Sequence, residues 1–558
     1  MATEDQVKDM IHRWQNTPED DLKPEDYEQF KSLGSASLTQ GDGARLMEFL
    51  QEEKNQGMVR SMGCVLMAPL LAQVVKKEKS LAHCQAAITH LTTTCRPNQL
   101  LHSLLELIED IDPGAISETV LALVPHLQTV LLQLGDGKAA CVGSALSGLQ
   151  RQLSRLPLPY TRQQEEADEH GLCRGYGALA ALARPFVEEV KRRNGDRVAT
   201  AEEEELRTEL LKFCMRSLRE PLLEAELNRD SKSSLWLFAT EIMLSLPAIQ
   251  ESPSELLFFS PPKKSAQLDV SPAMESRACA AYLLFVQLIG IDSFPAVFSP
   301  LFVLQRNMDY ISQLLSSKNE SHLLKGLALF AKSLERVQDH SLPVSLLELK
   351  SFYSAPQNLR EVLTDCPMRH LRQSGLQVFQ LFIDKLDAEA KHKFFRCMLK
   401  TSNHAGVESY IVKNIRNQVE FSMKVRLKKK ETCQHHPYSV LDPRLDCRGD
   451  TDVWEKLSGI KDEYLKMLRV CLGISRGYYS AELKALRADR KMKAKEAREA
   501  ARSSRLIKSM TVKHEEGSNM SPEVQHQVLQ SALVTFDLME SLIVRIEEIT
   551  EEKLKIPN

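Results

Sequence analysis

Apolar residues recur at helical spacing from one end of this chain to the other. In PNQLLHSLLELIEDI (97–111), Leu100, Leu101, Leu104, Leu105 and Ile108 line one side of a helix, and Pro97 sits in its first turn. AISETVLALVPHLQTVLLQLG (115–135) repeats the pattern, with Pro125 inside as a kink and Gly135 as a stop. HLLKGLALFAKSLERV (322–337), HLRQSGLQVFQLFIDKL (370–386) and HKFFRCMLK (392–400) do the same. Within the second of these, Leu376, Phe379 and Ile383 are predicted to face the core. The last stretch, 521–555, spaces Val528, Ala532, Thr535, Met539, Leu542, Ile546 and Ile549 by threes and fours.

No segment offers consecutive alternating, β-branched stretches bounded by turn residues. Links such as DPG (112–114), KNE (318–320) and CP (366–367) are short enough to force antiparallel helix pairs. A pair buries only one side of itself, so pairs in series must stack. The pattern therefore predicts an all-α, HEAT-like helical-repeat solenoid with degenerate repeats of roughly 40 residues. Residues 1–250 read as an N-terminal helical half, and the proline-rich 251–272 as a loop. Helical repeats resume over 273–427. An atypical segment (428–452) then precedes C-terminal helices over 453–556, which include a basic helix at 484–508.

Composition narrows the reading further. Gly (23) and Pro (24) are sparse for 558 residues, which argues against turn-rich β architecture. A net charge of −3 with 26% charged residues argues against general affinity for nucleic acid or membranes. The apolar run ACAAYLLFVQLIGI (278–291) is too short to cross a bilayer. The acidic start, MATEDQVKDM, lacks the features of a signal peptide. Twelve scattered cysteines then read as reduced, buried small hydrophobes of a cytoplasmic or nuclear protein.

Candidate chemistry is thin. KKKETCQHHPYSVLDPRLDCRGD (428–450) gathers Cys433, His435, His436 and Cys447, but adjacent histidines diverge and Cys447 has no near partner. Zinc sites pair their ligands at short spacings, so no metal is expected here. No nucleophile elbow, metalloprotease helix or phosphate loop occurs, and no cofactor or catalysis is expected. GYG (175–177) lies in a helical setting, and Glu202 to Glu205 suit a solvated first turn. The basic run 484–508 has no interleaved aromatics and reads as a charged, partly frayed helix. Its rival reading is an adaptor surface for nucleic acid or nuclear-transport partners.

Several phrases together resemble one family. They are RLPLPYTRQQ (155–164), GLC (171–173), RPFVEEV (184–190), ELLKFC (209–214) and FVQLIGIDSFPAVFSPLFVLQRNM (285–308). ELKSFYSAPQNL (348–359), FFRCMLKTSNHAGVESYIVKNIRNQ (394–418) and SALVTFDLMESLIVRIEE (531–548) complete the set. In collinear order over nearly the whole chain, they are similar to the glomulin family of FK506-binding-protein-associated proteins. The resemblance implies a non-catalytic HEAT-like protein that binds the RING-box subunit of cullin-RING ubiquitin ligases. By covering the surface that recruits the ubiquitin-conjugating enzyme, it would inhibit ubiquitin transfer. The resemblance also implies links to an FK506-binding immunophilin, the hepatocyte growth factor receptor and vascular development. Against that family pattern, 428–452 looks like a missing helical pair bridged by foreign sequence.

The densest resemblance points to one surface. In TSNHAGVESYIVKNIRNQVEFSMK (401–424), Tyr410, Ile411, Ile415, Val419 and Phe421 form an apolar side. Glu408, Lys413, Arg416, Asn417 and Lys424 lie mostly off it and are expected to meet the partner.

Overall fold

The computed structural model describes residues 4–18, 21–77, 81–159, 161–192, 200–227, 233–259, 274–402, 404–418, 420, 465–503 and 522–554. They form an all-α helical-repeat solenoid. Among the described residues the one β feature is an isolated bridge between Leu342 and Leu386.

Local chemistry explains the helix ends. Pro97 opens the Pro97–Glu109 helix, where its missing N–H costs nothing. The DPG link becomes a 3-10 turn, held by the Asp112 carboxylate accepting from Gly114 N. It feeds the Ile116–Gln133 helix, which contains Pro125 as expected and stops two residues before Gly135. The acidic run is the first turn of Ala201–Ser217. There Thr200 Oγ1 accepts from Glu203 N, and Glu203 Oε2 accepts from Thr200 N at 2.9 Å, a reciprocal cap. GYG lies inside the Leu172–Arg192 helix.

Neighbours in sequence stack in space. Pro97–Glu109, Ile116–Gln133 and Lys138–Leu153 pack against one another, and Leu172–Arg192 packs on Ile116–Gln133. Each contributes one apolar stripe, such as Leu100, Leu104 and Ile108, which is buried where the helices meet.

The chain divides into two compact units, Met1–Arg336 and Val337–Asn558. Residues 260–273 lie outside those described, but the chain on either side belongs to the first unit. Pro253–Phe258 forms a short helix, and Phe258 packs among Phe285, Phe294, Phe298 and Phe302 at 5.2–6.2 Å between centroids. Ser276 Oγ reaches back across the stretch to donate to Met215 O at 2.7 Å.

Three stretches, Glu53–Lys76, Pro113–Gln133 and Glu523–Glu548, are long and apolar enough to cross a membrane by length and composition. In this fold the first two pack among neighbouring helices, where Leu123, Leu127, Val130 and Leu131 of the second are completely buried, and the third packs along a single seam. The apolar run that begins at Ala278 is buried too, because every residue from Ala278 to Phe285 is inside.

In the second unit, the Arg369–Lys385 helix buries Leu371, Val378, Phe379, Phe382 and Ile383. Leu376, expected in that set, is 38% exposed. The buried face runs back through Gly375, where the lack of a side chain leaves room for Leu363 and Leu359. Leu376 follows one residue further round the helix and turns outward. Phe394 of the Ala388–Thr401 helix closes this core, 5.8 Å from Phe379 and 5.4 Å from Phe382.

The C-terminal helices, Lys466–Ser503 and Pro522–Leu554, form an antiparallel hairpin. Arg469 pairs with Glu547 at 3.0 Å, Tyr479 stacks edge-on to Phe536 at 5.4 Å, and Arg487 lies 3.4 Å from His526. The buried seam is Leu468, Leu472 and Leu483 against Leu529, Phe536, Met539, Ile543 and Ile546. The expected stripe is partly out of phase with it. Met539 and Ile546 are inside, but Val528 is 47% exposed. Thr535 and Leu542 are half-buried at the rim. Val528 was one residue early because Leu529, not Val528, keeps the three-four step to Phe536.

Candidate partner-binding site

Helix 405–418 is built by its buried side. Val407, Ile411, Val412 and Ile415 point into the second unit, each under 7% exposed. A polar lock fixes the helix to Arg369–Lys385. Tyr410 Oη donates to Gln380 Oε1 at 2.6 Å, and Gln380 Nε2 donates to Asn414 Oδ1 at 3.0 Å. Asn414 Nδ2 in turn donates to Tyr410 O. A buried asparagine is tolerable only when satisfied in this way. Burial pushes the Tyr410 phenol up from its ordinary pKa. Val419 and Phe421, expected on the same side, lie outside the described residues.

The expected contact residues separate by exposure. Lys413 and Asn417 are exposed, one turn apart. Arg416 is partly exposed and its Nε donates to Glu420 at 2.7 Å, an i,i+4 pair. Glu408 is half-buried, and that burial raises its carboxyl above the usual range. It belongs at the margin of the packed side rather than on the open face. Lys424 lies outside the described residues.

Arg416 also lines a groove that the sequence reading missed. The open groove, of about 710 Å³, is walled on the other side by the C-terminal hairpin. Arg476, Asp537, Glu540, Arg545 and Glu548 supply charge, and Leu542 and Val544 supply apolar atoms to its lining. Arg476 pairs with both Asp537 and Glu540, and Arg545 with Glu548 at 3.0 Å. Three guanidiniums among carboxylates around apolar side chains form a surface that another protein can meet with hydrogen bonds at a wet rim. The signal for it lay in the spacing of Arg476 and Glu540 on two separate helices. Only their antiparallel pairing brings them together.

Other candidate chemistry stays dispersed. Among the described residues, no three His, Cys, Asp or Glu side chains are placed to hold a metal ion. Cys433, His435, His436 and Cys447 lie outside the described residues, as does the rest of 428–452. Among the described residues no cysteine is in a disulfide. Burial pushes the thiols of Cys95, Cys214 and Cys279 up to about 12, so they stay protonated and unreactive at neutral pH.

Comparison with known proteins adds a family. Residues 1–256 and 240–446 match the model of an uncharacterised protein family described as YAP/Alf4/glomulin. The chain is 37% identical to glomulin of Homo sapiens over 601 aligned residues, covering 100% of this chain and 98% of that protein. It is 36% identical to glomulin of Mus musculus over 600, with the same coverage.

Proposed function

This chain belongs to the glomulin family, and from that membership we propose that it is a non-catalytic regulator of cullin-RING ubiquitin ligases. It binds the RING-box subunit and covers the surface that would otherwise recruit the ubiquitin-conjugating enzyme. The observation that carries this reading is similarity along the whole chain, including the second unit where the Arg416 groove lies. A RING surface that receives a conjugating enzyme combines an apolar groove with polar rim groups. An inhibitor must bury the first and satisfy the second. Leu542 and Val544 suit the first task, and Lys413, Arg416 and Asn417 suit the second. An FK506-binding immunophilin and the hepatocyte growth factor receptor are further proposed partners, and the cytoplasm, with the nucleus, is the proposed compartment.

A reconstituted ligase tests the proposal. Purified cullin–RING-box complex, conjugating enzyme and ubiquitin are mixed with increasing amounts of this protein. Chain formation should fall to background near one equivalent per RING-box subunit. Undiminished ubiquitin transfer at tenfold excess would refute the reading.

A further inference from the structure

The basic run supports a second binding activity that does not depend on the family reading. The run does not fray where it begins; the Lys466–Ser503 helix continues through it among the described residues. Lys484, Arg487, Lys491 and Lys495 fall at i, i+3, i+7 and i+11, so they share one side of the helix over about 16 Å. All four are exposed, and among the described residues none is ion-paired with a carboxylate. Among the described residues, Arg487 Nε donates to the His526 imidazole, 3.4 Å away. Asp489 pairs with Lys493, which is off the stripe. The sequence continues the same spacing with Arg498 and Arg502.

The partner helix begins at Pro522, one turn before His526. Beyond about one turn past Arg487, the basic helix therefore runs on without it. A lone helix is about 10–12 Å across, which matches the width of a DNA major groove.

We propose that this stripe binds the phosphate backbone of double-stranded nucleic acid without sequence preference. A row of like charges suits a uniform polyanion. A protein partner would instead need aromatic or large apolar anchors, which the stripe lacks. Evenly spaced cations meet phosphates whatever the base sequence, so no sequence preference is expected.

The test is fluorescence anisotropy of the full chain with a fluorescein-labelled 20-base-pair DNA duplex in 50 to 200 mM KCl. Four phosphate contacts predict an affinity loss of about 100-fold across that range. A variant with Lys484→Gln, Arg487→Gln, Lys491→Gln and Lys495→Gln should bind at least tenfold more weakly at 50 mM. Its helicity, melting temperature and RING-box capture should be unchanged. Should that variant fail to fold, Lys491→Gln with Lys495→Gln should still halve the salt slope. Absence of duplex binding at 50 mM overturns the proposal, as does equal binding by the folded quadruple variant. Capture of phosphatidylserine vesicles without duplex binding would assign the stripe to membranes and also overturn it.

Discussion

The Arg369–Lys385 helix and the Pro522–Leu554 helix begin from the same kind of three-four apolar repeat and use it differently. The first meets neighbours on several sides: Lys350–Asp365 at Gly375, Phe394 beyond Phe379, and Tyr410 across Gln380. Its buried face is broad, with two phenylalanines fully enclosed. The second packs chiefly along one seam, and Val524, Val528, Val534 and Leu538 are left 43–60% exposed. Charges do on its flank what aromatics do in the first, as Arg469 and Arg476 bridge to Glu547, Asp537 and Glu540. The repeat announces a helix with one apolar side. The number of helices that crowd it decides how wide the buried face becomes.

The comparison breaks first at Phe379. Phe379→Ala removes a fully buried ring and should cost about 3–5 kcal/mol in urea unfolding. A cost below about 1 kcal/mol would mean the core there is not closed. In the hairpin, Met539→Ala should cost about 2–3 kcal/mol. That loss should appear locally, as faster amide exchange over 522–554 with 369–385 still protected. Exchange rising equally in both segments would merge the two regions into one cooperative block.

Helix existence was legible in the sequence, because 3.6-residue periodicity survives whatever packs against it. Phase was less so. Leu376 and Val528 both fit a stripe on paper, and only the partner helices decide that Gly375 and Leu529 take the inside positions. Buried charge was not legible at all. Lys391 is 3% exposed with its Nζ 2.7 Å from His340 Nδ1, and Lys325 is equally buried with its Nζ 2.6 Å from Ala225 O. Their partners lie 51 and 100 residues away in loops, where no local pattern can reveal them. Of the candidate site, Lys413, Arg416 and Asn417 could be read from one helix. The hairpin wall of the groove could not, since it needs the antiparallel register.

Charge sharpens the contrast further. Burial holds the Lys325 ammonium at a pKa of about 8, below its ordinary 10.5. The folded state then loses this proton at lower pH than the unfolded chain does. Between about 8 and 10.5 the unfolded chain binds more protons, so this group adds stability as pH rises through that window. The wild-type minus Lys325→Met stability difference should therefore climb from pH 7.5 to 10; a flat difference would show that Lys325 is solvated. On the hairpin, Arg476 is 42% exposed, and Arg476→Ala should cost less than about 1 kcal/mol, vanishing in 1 M salt. A larger, salt-insensitive cost would make that flank as buried as the Phe379 core.

The central claim is that a RING-box subunit docks on the second unit beside Arg416. It is tested most directly by titrating the full chain into cullin–RING-box complex in a calorimeter, as wild type and as Arg416→Glu. The account predicts one-to-one binding by the wild type, and a loss of about 1.4 kcal/mol, or tenfold in affinity, in the variant at an unchanged melting temperature. Equal affinity for the two proteins, or no binding by either, would contradict it.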